Sequence, residues 1–160
     1  MTDTSTLTRE ATASVADQLQ ALHRASGLAP LKLGGKSLLP IVQGGMGVGI
    51  SAHRLAGTVA SLNAVGTISS VDLRRHHPDL MARTQDLPAG EQATQAAKQA
   101  INEANLEALS REIKAARAIA GDSGLLAMNI MRAVSEYGSA VKQALACGLD
   151  MVVVGAGLPL

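Results

Sequence analysis

The residues best suited to chemistry lie in one run, Gln43-Gly44-Gly45-Met46-Gly47-Val48-Gly49-Ile50-Ser51, behind the apolar stretch 38–42. Glycines let a main chain approach a ligand closely, and a helix opening at Ser51 would leave free N–H groups for an anion. Gly47-Val48-Gly49-Ile50-Ser51-Ala52 fits the G-x-G-x-x-A pattern of dinucleotide sites, with Asp72 placed 25 residues after Gly47 as a ribose partner (72 − 47 = 25). Against that reading, Gly44-Gly45-Met46 separate the strand from the fingerprint. Gly35-Lys36-Ser37 copies the tail of a phosphate loop, but the first glycine of that motif falls on Pro30 and the segment leads into a strand, so it is set aside.

The other reactive side chains are scattered. His76-His77 with Asp72 and Asp79 lack the spacing of a third metal ligand, and adjacent histidines point apart, so a solvated loop and no metal site are expected. Cys147 falls near a helix C-terminus, the wrong end to activate a thiol. His23 and His53 read as surface or interface residues on helices, Tyr137 as a half-buried helix residue, and Met46, Met128 and Met131 as gap fillers or pocket lining.

The elements that position the glycine run follow from two alternating textures. Short apolar runs at 38–42, 65–68, 125–130 and 151–154 read as strands buried on both faces, separated by Ala-rich segments of helical period. That alternation is the mark of βαβ units in a parallel sheet. Helices are expected at 51–63 (capped by Ser51, burying Leu55, Val59 and Leu62), at 99–120 (burying Leu106, Leu109, Ile113, Ala116 and Ala120) and at 134–147 (burying Val134, Val141 and Leu145). A further helix at about 6–26, carrying Ala11, Val15, Leu19 and Leu22, would pack over an end or flank of the sheet, and a hairpin at 31–39 around Gly34-Gly35 leads into the first strand. The segment 70–90 is long for a connecting loop.

Composition bounds the class. The 160 residues are 47% hydrophobic and 17% charged, which suits one globular domain. Fourteen basic against 13 acidic residues leave no field for nucleic acid, and with no Trp or Phe and only Tyr137 there is no aromatic platform for stacking bases. No apolar run approaches the roughly 20 residues of a membrane span. The polar start at 1–10 does not resemble a signal peptide, and one cysteine excludes an internal disulfide, so the cytoplasm is the expected location.

Taken in order, Pro40 to Ser51, Val65-Gly66-Thr67-Ile68-Ser69, Glu103-Ala104-Asn105-Leu106, Leu109 to Arg117, Ala127-Met128-Asn129-Ile130-Met131 and Val153 to Leu160 resemble the nitronate monooxygenase family, formerly called 2-nitropropane dioxygenases. The resemblance covers residues 30 to 160, and Gln43-Gly44-Gly45-Met46 is shared with FMN-dependent enoyl reductases. It implies an α/β fold, a TIM (β/α)8 barrel with FMN at the carboxyl ends of the strands. It also implies cofactor-binding roles for Gly44, Gly45, Met46 and Gly47, whose small size leaves room for a planar ring, and for Asn129, whose amide offers a donor and an acceptor.

Such a barrel needs about 250 residues, so the resemblance implies an incomplete barrel of about four strands: residues 1–30 as an N-terminal helix and 31–160 as the N-terminal half of an FMN domain. The implied activity is that of a flavoprotein monooxygenase acting on a small-molecule substrate, an alkyl nitronate, with an enoyl reductase or a non-catalytic fragment as alternatives. The family's histidine base has no counterpart in Gly155-Ala156-Gly157-Leu158-Pro159, so no catalytic residue is assigned. Two open sheet edges would favour a homo-oligomer.

Overall fold

The computed structural model describes residues 14–157. Helix α1 (Val15–Ser26) opens with a capping box, Ser14 Oγ accepting from Asp17 N while the Asp17 carboxylate accepts from Ser14 N, and ends at Gly27. It buries no residue, and Val15 and Leu22 stand largely in solvent, so the expected packing against the sheet is not found; residues 6–13, with Ala11, lie outside the described residues. The hairpin forms as expected, β1 (Leu31–Leu33) pairing antiparallel with β2 (Lys36–Leu38) across Gly34-Gly35.

The main sheet is β3 (Val65–Ser69), β4 (Leu125–Met131) and β5 (Met151–Gly155), parallel and in sequential order. The expected first strand over 38–42 is reduced to a bridge from Val42 to Val65, because Leu38 belongs to the hairpin and the main chain leaves the sheet after Gln43. While it lasts the ladder is regular: Val65 N donates to Ile41 O and Gln43 N to Val65 O. The fold is therefore mixed α/β, with a three-stranded parallel sheet extended at one edge by a single bridge.

Alternation along the strands divides the two faces. Ile68, Leu126, Met128 and Ile130 enter the core beneath α2 (His53–Ser61), α4 (Gln95–Ala120) and α5 (Tyr137–Ala146). On the other face Val65, Leu125 and Ala127 are covered by Leu31, Leu33 and Leu38 of the hairpin. Lys36 Nζ anchors that hairpin on the carbonyls of Asp122 and Gly124. The hairpin covers only the amino-terminal end of this face; its carboxyl end stays open.

The helices sit closer than large-residue stripes would allow. In α2 the buried positions are Ala56, Gly57 and Ala60, while Leu55, Val59 and Leu62 are half-buried; a Cβ on Gly57 would lie 2.8 Å from Ile119 Cβ of α4. In α5, which starts three residues later than expected, Ala140 and Ala144 are buried and Leu145 is exposed. Helix α4 starts earlier, capped by Thr94, and of its expected stripe only Leu106 is less than fully buried. Residues 70–92 are not a plain loop: they hold a turn of 3-10 helix at Leu73–His76, α3 (Pro78–Thr84) and another 3-10 turn at Gly90–Gln92.

Ion pairs tie α3 to α4. Arg111 reaches Asp79 and Glu107, and Arg83 reaches Glu107. Its hydrogen bond to Arg111 lowers the Asp79 carboxyl from 3.8 to about 2, and bonds from Arg83 and Arg111 lower Glu107. A carboxyl lowered in the folded state stabilises the fold above its unfolded pKa and loses that contribution as pH falls through the folded value. For Asp79 the loss falls between about pH 4 and pH 2. Arg111→Met is expected to flatten the acid limb of a urea-midpoint profile there; an unchanged limb would refute the link.

Gly66 lies against α2, where a Cβ would come within 1.8 Å of Ala56 O. Gly66→Ala is expected to cost about 1–3 kcal/mol by overpacking against main chain. Gly138→Ala, at an open helical position, is expected to be neutral or to add up to about 1 kcal/mol. Urea unfolding of the two variants checks the contrast.

Candidate functional site

The parallel register sets Ser69, Asn129 and Val153 in one row near the carboxyl ends of β3, β4 and β5. The glycine run folds over this row. A Cβ on Gly45 would fall 2.5 Å from Asn129 Cβ and one on Gly47 3.2 Å from Ser69 Oγ, so the main chain at both positions lies directly on the strand ends. Gly155 is also close, 3.6 Å separating its notional Cβ from Asn129 Nδ2. Gly44 has open space beside it, and Met46 and Val48 are both over 40% exposed. Gly44, Gly45, Met46, Gly47 and Asn129 are thus brought together on one rim.

Two residues outside that set hold the loop in shape. In a continued ladder Thr67 N would bond the carbonyl of residue 43; instead it donates to Gln43 Oε1 at 2.9 Å, so a side-chain amide replaces the departing peptide. Gln43 Nε2 donates to Ser51 Oγ at 2.8 Å and to Gly44 O. Ser51 is fully buried, and its hydroxyl also accepts from Met46 N at 2.9 Å and donates to Gly44 O, using all its capacity. Ser51 is therefore the internal staple of the loop; the helix begins at His53, with Ala52 as N-cap. A glutamine and a serine bracketing the glycines were the available signal.

The lower end of the loop depends on a carboxylate from α4. Glu112 is buried, and its Oε2 accepts from His53 N at 2.7 Å and lies 2.8 Å from His53 Nδ1. It thereby supplies the cap Ala52 lacks at the start of α2. Its Oε1 lies 3.1 Å from His77 Nε2, at the start of α3. His53 thus lies at an interface with α4, one of the two places expected for it, while His77, expected in a solvated loop, is largely buried beside this carboxylate. His76 points the other way, its ring filling the space where a Cβ on Gly49 would stand. Among the described residues no group of three or more His, Cys, Asp or Glu could hold a metal ion.

Asp72 is not free for a ribose hydroxyl. Arg74 Nε lies 2.9 Å from its Oδ1 and Arg75 Nε bonds Oδ2. The strand order also runs sequentially from 42 through β5, with no reversal to make the crevice of a dinucleotide fold.

Asn129 Nδ2 makes one long bond, 3.4 Å to Val153 O, and Thr67 Oγ1 is buried without a partner. Among the described residues no helix is long and apolar enough to cross a membrane. In comparisons with known proteins, no family model and no curated protein matches the chain.

Glu112→Ala is expected to cost about 3 kcal/mol, since it strips the acceptor from the His53 N–H and imidazole and removes the carboxylate beside His77. Glu112→Gln, which retains one acceptor oxygen, is expected to cost less than half as much. Equal losses in urea unfolding would overturn this, since a neutral side chain of the same size with an acceptor oxygen would then do no better than none.

Proposed function

We propose that the chain supplies the first four βα units of a (β/α)8 barrel that seats FMN on this rim, and that it serves an FMN-dependent oxidoreductase of the nitronate monooxygenase type. The contact that supports the reading is between Gly45 and Asn129, elements 84 residues apart (129 − 45 = 84) meeting on the carboxyl-end face. In barrel enzymes that face carries the chemistry. Sequential strand order, helices on one face and the row Ser69-Asn129-Val153 on the other fit such an arc.

In this reading the main chain of Gly44 to Gly47 lies against the isoalloxazine edge, where any larger side chain at 45 would intrude. Asn129 offers a donor and an acceptor to the ring, and the unpartnered Thr67 hydroxyl stands on the same face. Met46 and Val48 give the ring an apolar neighbour. FMN held there by Asn129 and the main chain of Gly44 to Gly47 would supply the redox chemistry between an alkyl nitronate and O2. Gln43 and Ser51 keep the loop from moving as the ligand binds. The bridge at Val42 and the edge of β5 are the places where four further strands pair, and the free Cys147 suits a reducing cytoplasm.

The test is a titration of the purified chain with FMN, followed by the flavin absorbance near 450 nm in the protein fraction. Binding is expected, with Asn129→Ala weakening it about ten-fold, the equivalent of about 1.4 kcal/mol. Gly45→Ala is expected to weaken it more, by displacing the loop from Asn129. No FMN uptake, or uptake unchanged in both variants, overturns the proposal.

A further inference from the structure

A cavity of about 260 Å3 opens at the carboxyl ends of β3 and β4, between the first half of α4 and the start of α5. It lies on the helix side of the strand ends, where Ile130 points, and contains none of the rim residues Gly44, Gly45, Met46, Gly47 and Asn129. Its size is below the roughly 300 Å3 at which drug-sized pockets begin, so its ligand is small. The floor is apolar, formed by Ile101, Leu106, Leu109 and Ile130.

The polar groups around it differ in what they have left to offer. Asp72 is already matched by Arg74 and Arg75, and Asn105 Oδ1 accepts from Arg74 N at 3.1 Å. The Glu136 carboxylate accepts from Ser135 Oγ alone, and among the described residues it forms no ion pair. Arg132, its basic neighbour in sequence, stacks over the Tyr137 ring at 5.1 Å, and Lys98 faces the adjoining groove without pairing with Glu136. The Asn102 side chain makes no hydrogen bond among the described residues and lines the same cavity. No lysine or arginine lines it. An apolar floor with an unmatched carboxylate and an unspent amide at its polar side calls for a cation on a short hydrocarbon.

We infer that this cavity is a binding site for a small primary alkyl amine, its chain on Ile101, Leu106, Leu109 and Ile130 and its ammonium donating to Glu136 and Asn102. Three donors on the ammonium suit a carboxylate oxygen and an amide oxygen together. An alkyl carboxylate of the same length would place its charge against Glu136. The site is independent of the flavin seat, so it stands whether or not FMN binds.

The test uses the full chain with the Met131 methyl, which lines the cavity, as an NMR probe and the Met46 methyl on the glycine loop as the control. Hexylamine, 1-hexanol and hexanoate are titrated separately. Hexylamine is expected to shift Met131 but not Met46 and to bind at least ten-fold more tightly than hexanoate, with hexanol between them. Val134→Trp, which fills the cavity from a half-buried turn, is expected to abolish binding. Glu136→Gln is expected to reduce hexylamine to the affinity of hexanol while leaving hexanol unchanged, which separates loss of the charge from loss of the fold. Hexanoate binding as tightly as hexylamine, no shift at Met131, or hexylamine binding unaltered in both variants overturns the proposal. FMN uptake read on the same samples keeps this outcome separate from the flavin assignment.

Discussion

Gln43 stands where the main chain stops being a strand and becomes the glycine loop. A parallel ladder leaves Thr67 N needing an acceptor at the level of residue 43, but the carbonyl that would provide it turns away with the glycines. The side-chain amide accepts from Thr67 N and donates to Ser51 Oγ and Gly44 O. An unsatisfied buried N–H costs about 1–3 kcal/mol, so the glutamine is what allows a strand to end this abruptly inside a packed sheet. The glycines supply freedom; Gln43 and Ser51 remove it again.

The same loop is held at its far end by a residue from a different layer. Glu112 comes from the middle of α4, yet its carboxylate caps α2 and meets His77 at the start of α3. One buried acid thus sets the positions of both segments that reach the carboxyl face, the glycine loop ahead of α2 and the 70–77 turn ahead of α3. Isolated burial of a carboxylate is costly, and the three nearby nitrogens are what make it tolerable. His76, carried by the second segment, then closes on Gly49 of the first. The rim is held from beneath by Gln43 and from behind by Glu112.

Much of this architecture was legible because periodicity reports burial directly. The runs at 65–68, 125–130 and 151–154 became β3, β4 and β5, and the Leu109-Ile113-Ala116-Ala120 stripe became the buried side of α4. The edge segment 38–42 was not legible as two pieces, because apolar content does not say which neighbour a residue will bond: Leu38 joined the hairpin and Val42 the sheet. Leu55 and Leu145 misled for a related reason. Where helices approach through Gly57, Ala60, Ala140 and Ala144, the small residues take the buried positions and the large ones move to the margin. In the site, the meeting of Gly45 with Asn129 was expected from the family resemblance, while the roles of Ser51, Glu112 and His77 were not expected. Those depend on side chains from separate elements converging, which linear spacing does not encode.

The two faces of the sheet are built to different standards. Toward the helices every position is filled with apolar side chains and the approach is so close that Gly66 touches the carbonyl of Ala56. Toward the other side, only the amino-terminal end is covered, by three hairpin leucines, and the row above it is Ser69, Asn129 and Val153. Polar and small residues in that row give up apolar burial that a third leucine layer would have provided. A sheet that could be closed simply by hydrophobic packing is left open at the end where the glycine loop arrives. The edges show the same economy: β5 is only half-buried throughout, and at the opposite edge, beside β3, Ile41 and Val42 stand in solvent. Exposed apolar residues on unpaired edges leave backbone donors and acceptors free to pair with a further strand, so both edges of this sheet are open to strand addition.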